Sequence, residues 1–132
     1  MKKPVLAAVG GPAVGIGTTM LLHCDLVVLA ENALLSTPFV NLALVPEAAS
    51  SLLMPLRIGY ARAYEMFALG EAVDAKSALA WGMANRVVPL EKLDAEFGTE
   101  GRRFFDAAVP PAAYADIVHR LGEAGLQKDA KI

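Results

Sequence analysis

The segment from Pro4 to Cys24 contains no Asp, Glu, Lys or Arg over 21 consecutive positions. A run of that length is typical of a membrane-spanning helix, but residues 10–17 include four glycines and one proline. In lipid, such a stretch would leave backbone groups without hydrogen-bond partners. A secretory signal is also disfavoured, because the apolar run breaks at Gly10 and no small-residue cleavage site follows. The segment therefore predicts buried structure interrupted by glycine turns.

Composition places the chain among globular proteins. Its 132 residues are 55% hydrophobic and 20% charged, which predicts one domain spanning 1–132. The net charge is −2 and no basic stripe is present, so we expect no nucleic-acid partner and no membrane partner. The single cysteine, Cys24, excludes an internal disulfide framework and any multi-cysteine metal site. We expect no bound metal and a reducing compartment, with the cytoplasm as the default location because Ala130-Lys131-Ile132 is not a peroxisomal signal.

Short apolar runs separated by glycines predict an α/β fold with a parallel sheet. The first part of the chain predicts strands at 5–9, 25–29 and 34–36 and a buried helix at 16–23. The second part predicts helices at 50–58, 62–69 and 75–81, a strand at 86–88, a helix opened by Pro89 and a last helix opened by Pro110-Pro111. Asp74 is the expected N-cap of the 75–81 helix.

The glycine loop admits two interpretations from its residues alone. Gly15-Ile16-Gly17 begins like a dinucleotide-binding fingerprint, but Met20 stands at the sixth position and no acidic residue follows at the required distance. A phosphate-binding P-loop is excluded because Ile16-Gly17 replaces the necessary Lys-Ser/Thr pair. The loop either directs backbone N–H groups at a developing negative charge or merely allows tight strand-to-helix packing.

Glu47 is an isolated carboxylate, since no other ionisable group occurs from Asn32 to Leu56. It is either a first-turn helix residue that complements the helix dipole or a proton-transfer base in an apolar site.

The two histidines are weaker candidates for a functional role. His23 and Cys24 are adjacent, so their side chains diverge on a helix, and no second ligand stands at metal-binding spacing.

The order of several motifs resembles the enoyl-CoA hydratase/isomerase (crotonase) superfamily over residues 3–97. The matching runs are Lys3 to Gly17, Cys24 to Val27, Ser36 to Phe39, Pro46 to Ser51 and Ala75 to Pro89. The resemblance implies the second half of a crotonase-type ββα spiral in residues 1–89, with peripheral C-terminal helices in residues 90–132. It also implies an acyl-CoA substrate and no separate cofactor, because coenzyme A enters as part of the substrate.

The resemblance assigns roles to individual residues. The backbone N–H of Ile16 corresponds to the second donor of the family's oxyanion hole. The two glutamates of hydratases correspond to Thr19 and Phe39, neither of which can transfer a proton. Pro46-Glu47-Ala48-Ala49-Ser50-Ser51 is instead similar to the Δ3,Δ2-enoyl-CoA isomerases of the peroxisomal type, which implies Glu47 as the single base. The substrate pocket is expected at Gly15, Pro38, Phe39 and Leu44.

Crotonase subunits are about twice the length of this chain, which begins where their second half begins. The other half supplies the first oxyanion-hole N–H and much of the CoA pocket. We therefore expect a homo-oligomer, a trimer or hexamer by resemblance, or a partner chain that supplies the N-terminal half. The alternatives to an isomerase are a truncated, non-catalytic assembly module and an enoyl-CoA hydratase completed by the missing half.

Overall fold

Six short strands form two three-stranded sheets in the computed structural model of this chain, which describes residues 4–99. The described fold belongs to the compact unit formed by residues 1–98. The strands are β1 (Leu6–Val9), β2 (Pro12–Val14), β3 (Leu26–Ala30), β4 (Leu34–Ser36), β5 (Val73–Asp74) and β6 (Arg86–Val88). The first sheet has the order β1-β3-β6 and is parallel throughout. The second has the order β2-β4-β5, with β2 parallel and β5 antiparallel to β4.

Before residue 93, the described part of the chain has four α-helices: α1 (Ile16–Thr19), α2 (Ser50–Ile58), α3 (Tyr60–Leu69) and α4 (Ala75–Ala80). Three 3₁₀ turns occupy Met20–His23, Val40–Leu42 and Leu90–Lys92, and residues 93–99 are helical. The predicted helix 50–58 is confirmed, and α3 ends at Gly70, which adopts a left-handed conformation with φ 67°. Asp74 caps α4 as predicted, because its carboxylate accepts the Ser77 N–H at 2.7 Å.

The strand β3 lies at the centre of the core, and all five of its residues are buried. Val27 and Leu29 point into the larger cluster, together with Leu35, Met54 and Met66. Its alternate residues Leu26, Val28 and Ala30 point into a second cluster with Leu93, packed on the other face. A strand covered on both faces has a continuous apolar sequence, which is why the run after Asp25 predicted it correctly.

Two expectations for the first 36 residues need correction. The helix predicted at 16–23 is a four-residue α-helix followed by four residues of 3₁₀ turn. Gly10-Gly11-Pro12 indicates a turn and the sequence predicts no strand there, but residues 12–14 form β2, paired with β4 in the register Pro12 to Leu34. The predicted last helix after Pro110 lies outside the described residues. Within residues 4–99, no helix has both the length and the apolar character needed to cross a bilayer.

Candidate active site

The glycine loop lies where two parallel strands end side by side. β2 ends at Val14 and β4 at Ser36, and the Gly15 N–H donates to the Ser36 carbonyl at 2.9 Å. Gly15 has φ 57° and ψ −117°, a conformation that residues with a side chain rarely adopt. The following N–H, that of Ile16, has no hydrogen-bond partner among residues 4–99. The N–H of Gly17 likewise has no partner among these residues, so the loop presents two free backbone donors beside the strand ends.

Buried threonine hydroxyls hold this loop in place. The amides of Thr18 and Thr19 donate to the Gly15 carbonyl at 2.9 and 3.0 Å. The Thr18 hydroxyl donates to the Ala13 carbonyl at 2.6 Å and accepts the Ser36 N–H at 3.1 Å. Thr18 is fully buried, so these bonds form away from water. They join β2, the loop and β4 into one unit.

Glu47 is brought to this unit by a hydrogen bond that spans 28 positions in the sequence. The hydroxyl of Thr19 donates to Glu47 Oε1 at 2.6 Å, and its oxygen also lies 3.5 Å from the Ile16 carbonyl oxygen. Glu47 precedes α2, which starts at Ser50, and its carbonyl accepts the Ser50 N–H at 2.9 Å. The first-turn interpretation of Glu47 is therefore wrong. Its carboxylate is bonded to the helix that follows the glycine loop.

The backbone around Glu47 is held in an unusual conformation. Ala43, Ala48 and Ala49 have φ values of 53°, 52° and 55°, in the left-handed region that costs non-glycine residues on the order of 1 kcal/mol each. His23 lies 2.7 Å from the Ala48 carbonyl oxygen through Nε2. Because a carbonyl oxygen only accepts, Nε2 carries the proton. The histidine thus anchors the segment directly after Glu47.

The other residues expected at the substrate pocket lie on the chain segment between β4 and α2. Phe39 is 4% exposed and packs on Phe67 with ring centroids 6.1 Å apart. Pro38 lies against Gly70, where an added Cβ would stand 3.2 Å from the Pro38 Cα. Leu44 is bonded to the Phe39 carbonyl through its N–H, but its side chain is 58% exposed. Their contact with a substrate remains a prediction.

Two contributors to the site were not identified from the sequence. The sequence marks Thr19 only as a residue unable to transfer a proton, and His23 only as a weak candidate without a second metal ligand. A signal was available, since Thr18, Thr19 and His23 are the only side chains between Pro4 and His23 that form conventional hydrogen bonds. Polar side chains in an otherwise apolar segment need hydrogen-bond partners. Here Thr18 bonds to the backbone before the glycine loop, and Thr19 and His23 bond to the segment that contains Glu47.

Several apolar side chains of the glycine loop, of the turn after it and of the segment before Glu47 are exposed. On the loop side, Val14, Ile16 and Met20 are each more than half exposed. The segment before Glu47 exposes further apolar side chains, namely Val40, Leu42, Leu44 and Val45.

Cys24 lies directly after His23 and is buried. Burial is the main cause that raises the pKa of its thiol, the charge of Asp25 adds to this rise, and the charge of Arg57 opposes it. A thiol held in its neutral form is a poor nucleophile, so Cys24 fits a structural role.

Together, these elements place one carboxylate, one hydroxyl that holds it and two free backbone donors, the amides of Ile16 and Gly17, on the same part of the fold. Thr19 and Phe39, the two positions that the family resemblance matches to the glutamates of hydratases, are both buried. The geometry can therefore move a proton on and off one carboxylate while an amide stabilises negative charge. It lacks a pair of acid–base groups at those two positions for activating water.

Comparison with known proteins identifies the family. Residues 1–121 match the model of the enoyl-CoA hydratase/isomerase family. Enoyl-CoA delta isomerase 2 of Rattus norvegicus is 38% identical over 109 residues, which cover 83% of this chain and 27% of the rat protein. Carnitinyl-CoA dehydratase of Proteus mirabilis is 32% identical over 133 residues, covering 100% of this chain and 51% of that enzyme.

A solved structure gives the same result for the fold. The enoyl-CoA hydratase/isomerase of Pseudoalteromonas atlantica aligns with a TM-score of 0.78 and 38% identity, over 96% of this chain and 50% of that one. The α/β, crotonase-type fold expected from the sequence is thereby confirmed. The chain spans about half, or less, of the length of these relatives. It belongs to the enoyl-CoA hydratase/isomerase (crotonase) family.

Proposed function

We propose that this chain carries the proton-transfer part of an enoyl-CoA isomerase site, which shifts the double bond of a 3-enoyl-CoA to the 2-enoyl position. The observation that carries the proposal is the 2.6 Å hydrogen bond from the Thr19 hydroxyl to Glu47 Oε1. It couples a lone carboxylate to the loop whose Ile16 N–H is without a partner among the described residues. A base and an electrostatic donor are the two parts that this isomerisation needs.

The reaction is a 1,3-proton shift through one carboxyl group. The Glu47 carboxylate removes a proton from C2 of the 3-enoyl thioester, and the electrons of the C2–H bond form a dienolate. The resulting carboxylic acid then returns the proton to C4, the double bond settles between C2 and C3, and Glu47 is again ionised. Because the proton removed is the proton returned, a second acid–base residue is not required.

The dienolate places negative charge on the thioester oxygen, where the Ile16 N–H would donate to it. The amide itself, rather than a helix dipole, supplies this stabilisation, because α1 has only four residues before the 3₁₀ turn. A second donor and most of the coenzyme A contacts would come from the remaining part of the family fold.

Isomerisation is favoured over hydration by the residues at the two hydratase glutamate positions. Thr19 and Phe39 cannot activate a water molecule or protonate C2. Phe39 is moreover packed against Phe67 in the core. The similarity to a rat protein named as an enoyl-CoA delta isomerase supports the same choice.

The decisive experiment compares two Glu-to-Gln variants. The protein is expressed in its own host, purified under native conditions with every chain that co-purifies, and tested for binding of acyl-CoA by calorimetry. Isomerisation of a medium-chain 3-enoyl-CoA and hydration of the matching 2-enoyl-CoA are then measured side by side. Glu47→Gln keeps the shape of the side chain but removes the base, so we expect isomerase kcat to fall about 10²–10⁴-fold.

Glu31→Gln is the matched control, because Glu31 is an exposed carboxylate in the turn after β3 and uses its backbone N–H for bonding to Val88. Its activity should equal that of the wild type. Near-full isomerase activity in Glu47→Gln contradicts the assignment of the base. Hydration without isomerisation contradicts the choice of reaction, and an assembly that binds no acyl-CoA supports the non-catalytic alternative.

A further inference from the structure

We infer that Thr19 is a positioning residue that holds Glu47 by Oε1 and thereby assigns both proton transfers to Oε2. The inference rests on the proposed function, since it concerns how the base of that reaction is held. Thr19 does not exchange a proton with the substrate. Its hydroxyl instead decides which of two chemically equal carboxylate oxygens is free to react.

The distances show which way the single hydroxyl proton points. Thr19 Oγ1 lies 2.6 Å from Glu47 Oε1 and 3.5 Å from the Ile16 carbonyl oxygen. A separation of 2.6 Å is typical of a hydroxyl that donates to an ionised carboxylate, whereas 3.5 Å is at the outer limit of any hydrogen bond. The proton is therefore directed at Oε1, and the carbonyl of Ile16 is a poor second acceptor.

Both ends of this hydrogen bond are held firmly. Thr19 is fully buried, its amide donates to Gly15 at 3.0 Å, and its β-branched side chain has few rotamers available. On the other side, His23 anchors the carbonyl of Ala48, the residue after Glu47. The hydroxyl thus cannot follow a moving carboxylate, and the carboxylate is held by a fixed donor.

This arrangement makes the two carboxylate oxygens unequal. Oε1 already accepts the Thr19 hydroxyl, whereas Oε2 has no hydrogen-bond partner among residues 4–99. Placing a proton on Oε1 would force the Thr19 hydroxyl to turn towards Ile16 at the longer distance. The C2–H bond therefore breaks as the Oε2–H bond forms, and the Oε2–H bond breaks as the C4–H bond forms. Both transfers occur on the same face of the substrate and need no other reactant.

The test uses three threonine variants of the complete assembly. Thr19→Val keeps the shape of the side chain and removes the hydroxyl, while Thr19→Ser keeps the hydroxyl. Thr37→Val is the matched control, because Thr37 is equally buried and donates to the Met66 carbonyl at 3.1 Å. That carbonyl also accepts the Gly70 N–H, so the control leaves it with a partner. Thermal unfolding of all three confirms that they are folded at the assay temperature.

For Thr19→Val we expect isomerase kcat to fall about 10- to 100-fold with KM within about threefold, because a hydrogen bond to a charged group is lost from the reacting state. Thr19→Ser should stay within about threefold of the wild type in kcat, and Thr37→Val should not change kcat.

A second measurement uses substrate deuterated at C2. The fraction of deuterium recovered at C4 should drop in Thr19→Val alone, because a Glu47 side chain that rotates exchanges its deuteron with water. An unchanged kcat and label transfer in Thr19→Val overturn the inference.

Crystal structures of the same variants separate this inference from the proposed function. We expect one Glu47 rotamer in the wild type, in Thr19→Ser and in Thr37→Val, and more than one in Thr19→Val. If the wild type shows no isomerase activity, the proposed function fails, and the crystal structures still decide whether Thr19 holds the carboxylate. A Glu47 side chain that keeps a single rotamer in Thr19→Val overturns the positioning role in either case.

Discussion

The strand β3 and the segment of residues 40–49 are held in place by different kinds of interaction. Every residue of β3 is at most 6% exposed, and its two faces serve two apolar clusters. The segment of residues 40–49 has no strand or α-helix, exposes Leu42 and Val45 by 62% and 80%, and contains three alanines with positive φ. The conformation of β3 is determined by the burial of its side chains, whereas that of residues 40–49 is determined by a few hydrogen bonds.

This difference shows how the site can be precise without being part of the core. Glu47 takes its position from the Thr19 hydroxyl and from the neighbouring bond between His23 and Ala48. Those bonds act on a backbone that local preferences alone would not place there, since left-handed alanines are unfavourable. The free energy of unfolding should therefore depend mainly on the side chains of β3. The position of the Glu47 carboxylate should depend on the segment of residues 40–49.

The largest expected effect comes from the core. Leu29→Ala removes a fully buried side chain from β3 and should lower the free energy of unfolding by about 2–5 kcal/mol in urea titration. Val45→Thr, at the most exposed apolar position of the segment, should change it by less than about 0.5 kcal/mol. Equal losses in the two variants would show that the segment is packed as tightly as the core in solution.

Gly70→Ala tests the junction between the two regions. Gly70 ends α3 with φ +67°, and an added Cβ would lie 2.9 Å from Asn41 Nδ2 and 3.2 Å from the Pro38 Cα. Both the left-handed backbone and the contact with Pro38 disfavour a side chain, so we expect a loss of about 1–3 kcal/mol in thermal or urea unfolding. Gly11→Ala is the control, since no atom of residues 4–99 lies within 4 Å of its added Cβ. A Gly70 variant as stable as the control would show that the segment simply shifts.

Ser50→Ala examines an unusual polar group at the end of the segment. Ser50 is fully buried at the start of α2, and its Oγ has no hydrogen-bond partner among residues 4–99. A buried hydroxyl without a partner is destabilising, so its removal should raise the free energy of unfolding by about 1 kcal/mol. Ser51→Ala, at the exposed neighbouring position, is the control. A loss of stability in Ser50→Ala would mean that the hydroxyl is bonded in the assembled protein.

The smallest expected effect is a pH dependence at the N-terminus of α4. The Ser77 backbone N–H lowers the pKa of Asp74 below its usual value of 3.8, so ionised Asp74 stabilises the folded state. This contribution is fully present above pH 3.8 and disappears as the pH falls through the lowered value. Asp74→Asn keeps a good N-cap without the charge. The melting temperature of the wild type should therefore fall more steeply than that of Asp74→Asn below pH 3.8, and parallel curves would contradict the assignment.

The elements predicted well from sequence are those with local signals. The strand 34–36 and the helix 50–58 have the predicted bounds, because an apolar run or a helical pattern ends at a residue that breaks it, such as Gly59. The family resemblance also located Glu47 and Ile16 on one part of the fold. Their catalytic roles remain predictions.

The features that were missed depend on contacts between distant parts of the chain. Pro12 lacks a backbone N–H and follows two glycines, which indicates a turn, yet pairing with β4 makes residues 12–14 a strand. The bond between Thr19 and Glu47 joins residues 28 positions apart. Local patterns do not report such contacts, and only the folded arrangement shows that the threonine has a partner.

The backbone of Gly15 makes the glycine loop sensitive to handedness. No atom of the described residues lies within 4 Å of a Cβ added there, so space in this part of the chain does not exclude a side chain, but φ 57° and ψ −117° do. Those angles are the mirror image of φ −57° and ψ 117°, a region that L-residues adopt freely. A D-alanine introduced at this position by chemical ligation should therefore preserve the loop that L-alanine would distort. At this point of the chain, the chirality of the residue matters more than its size.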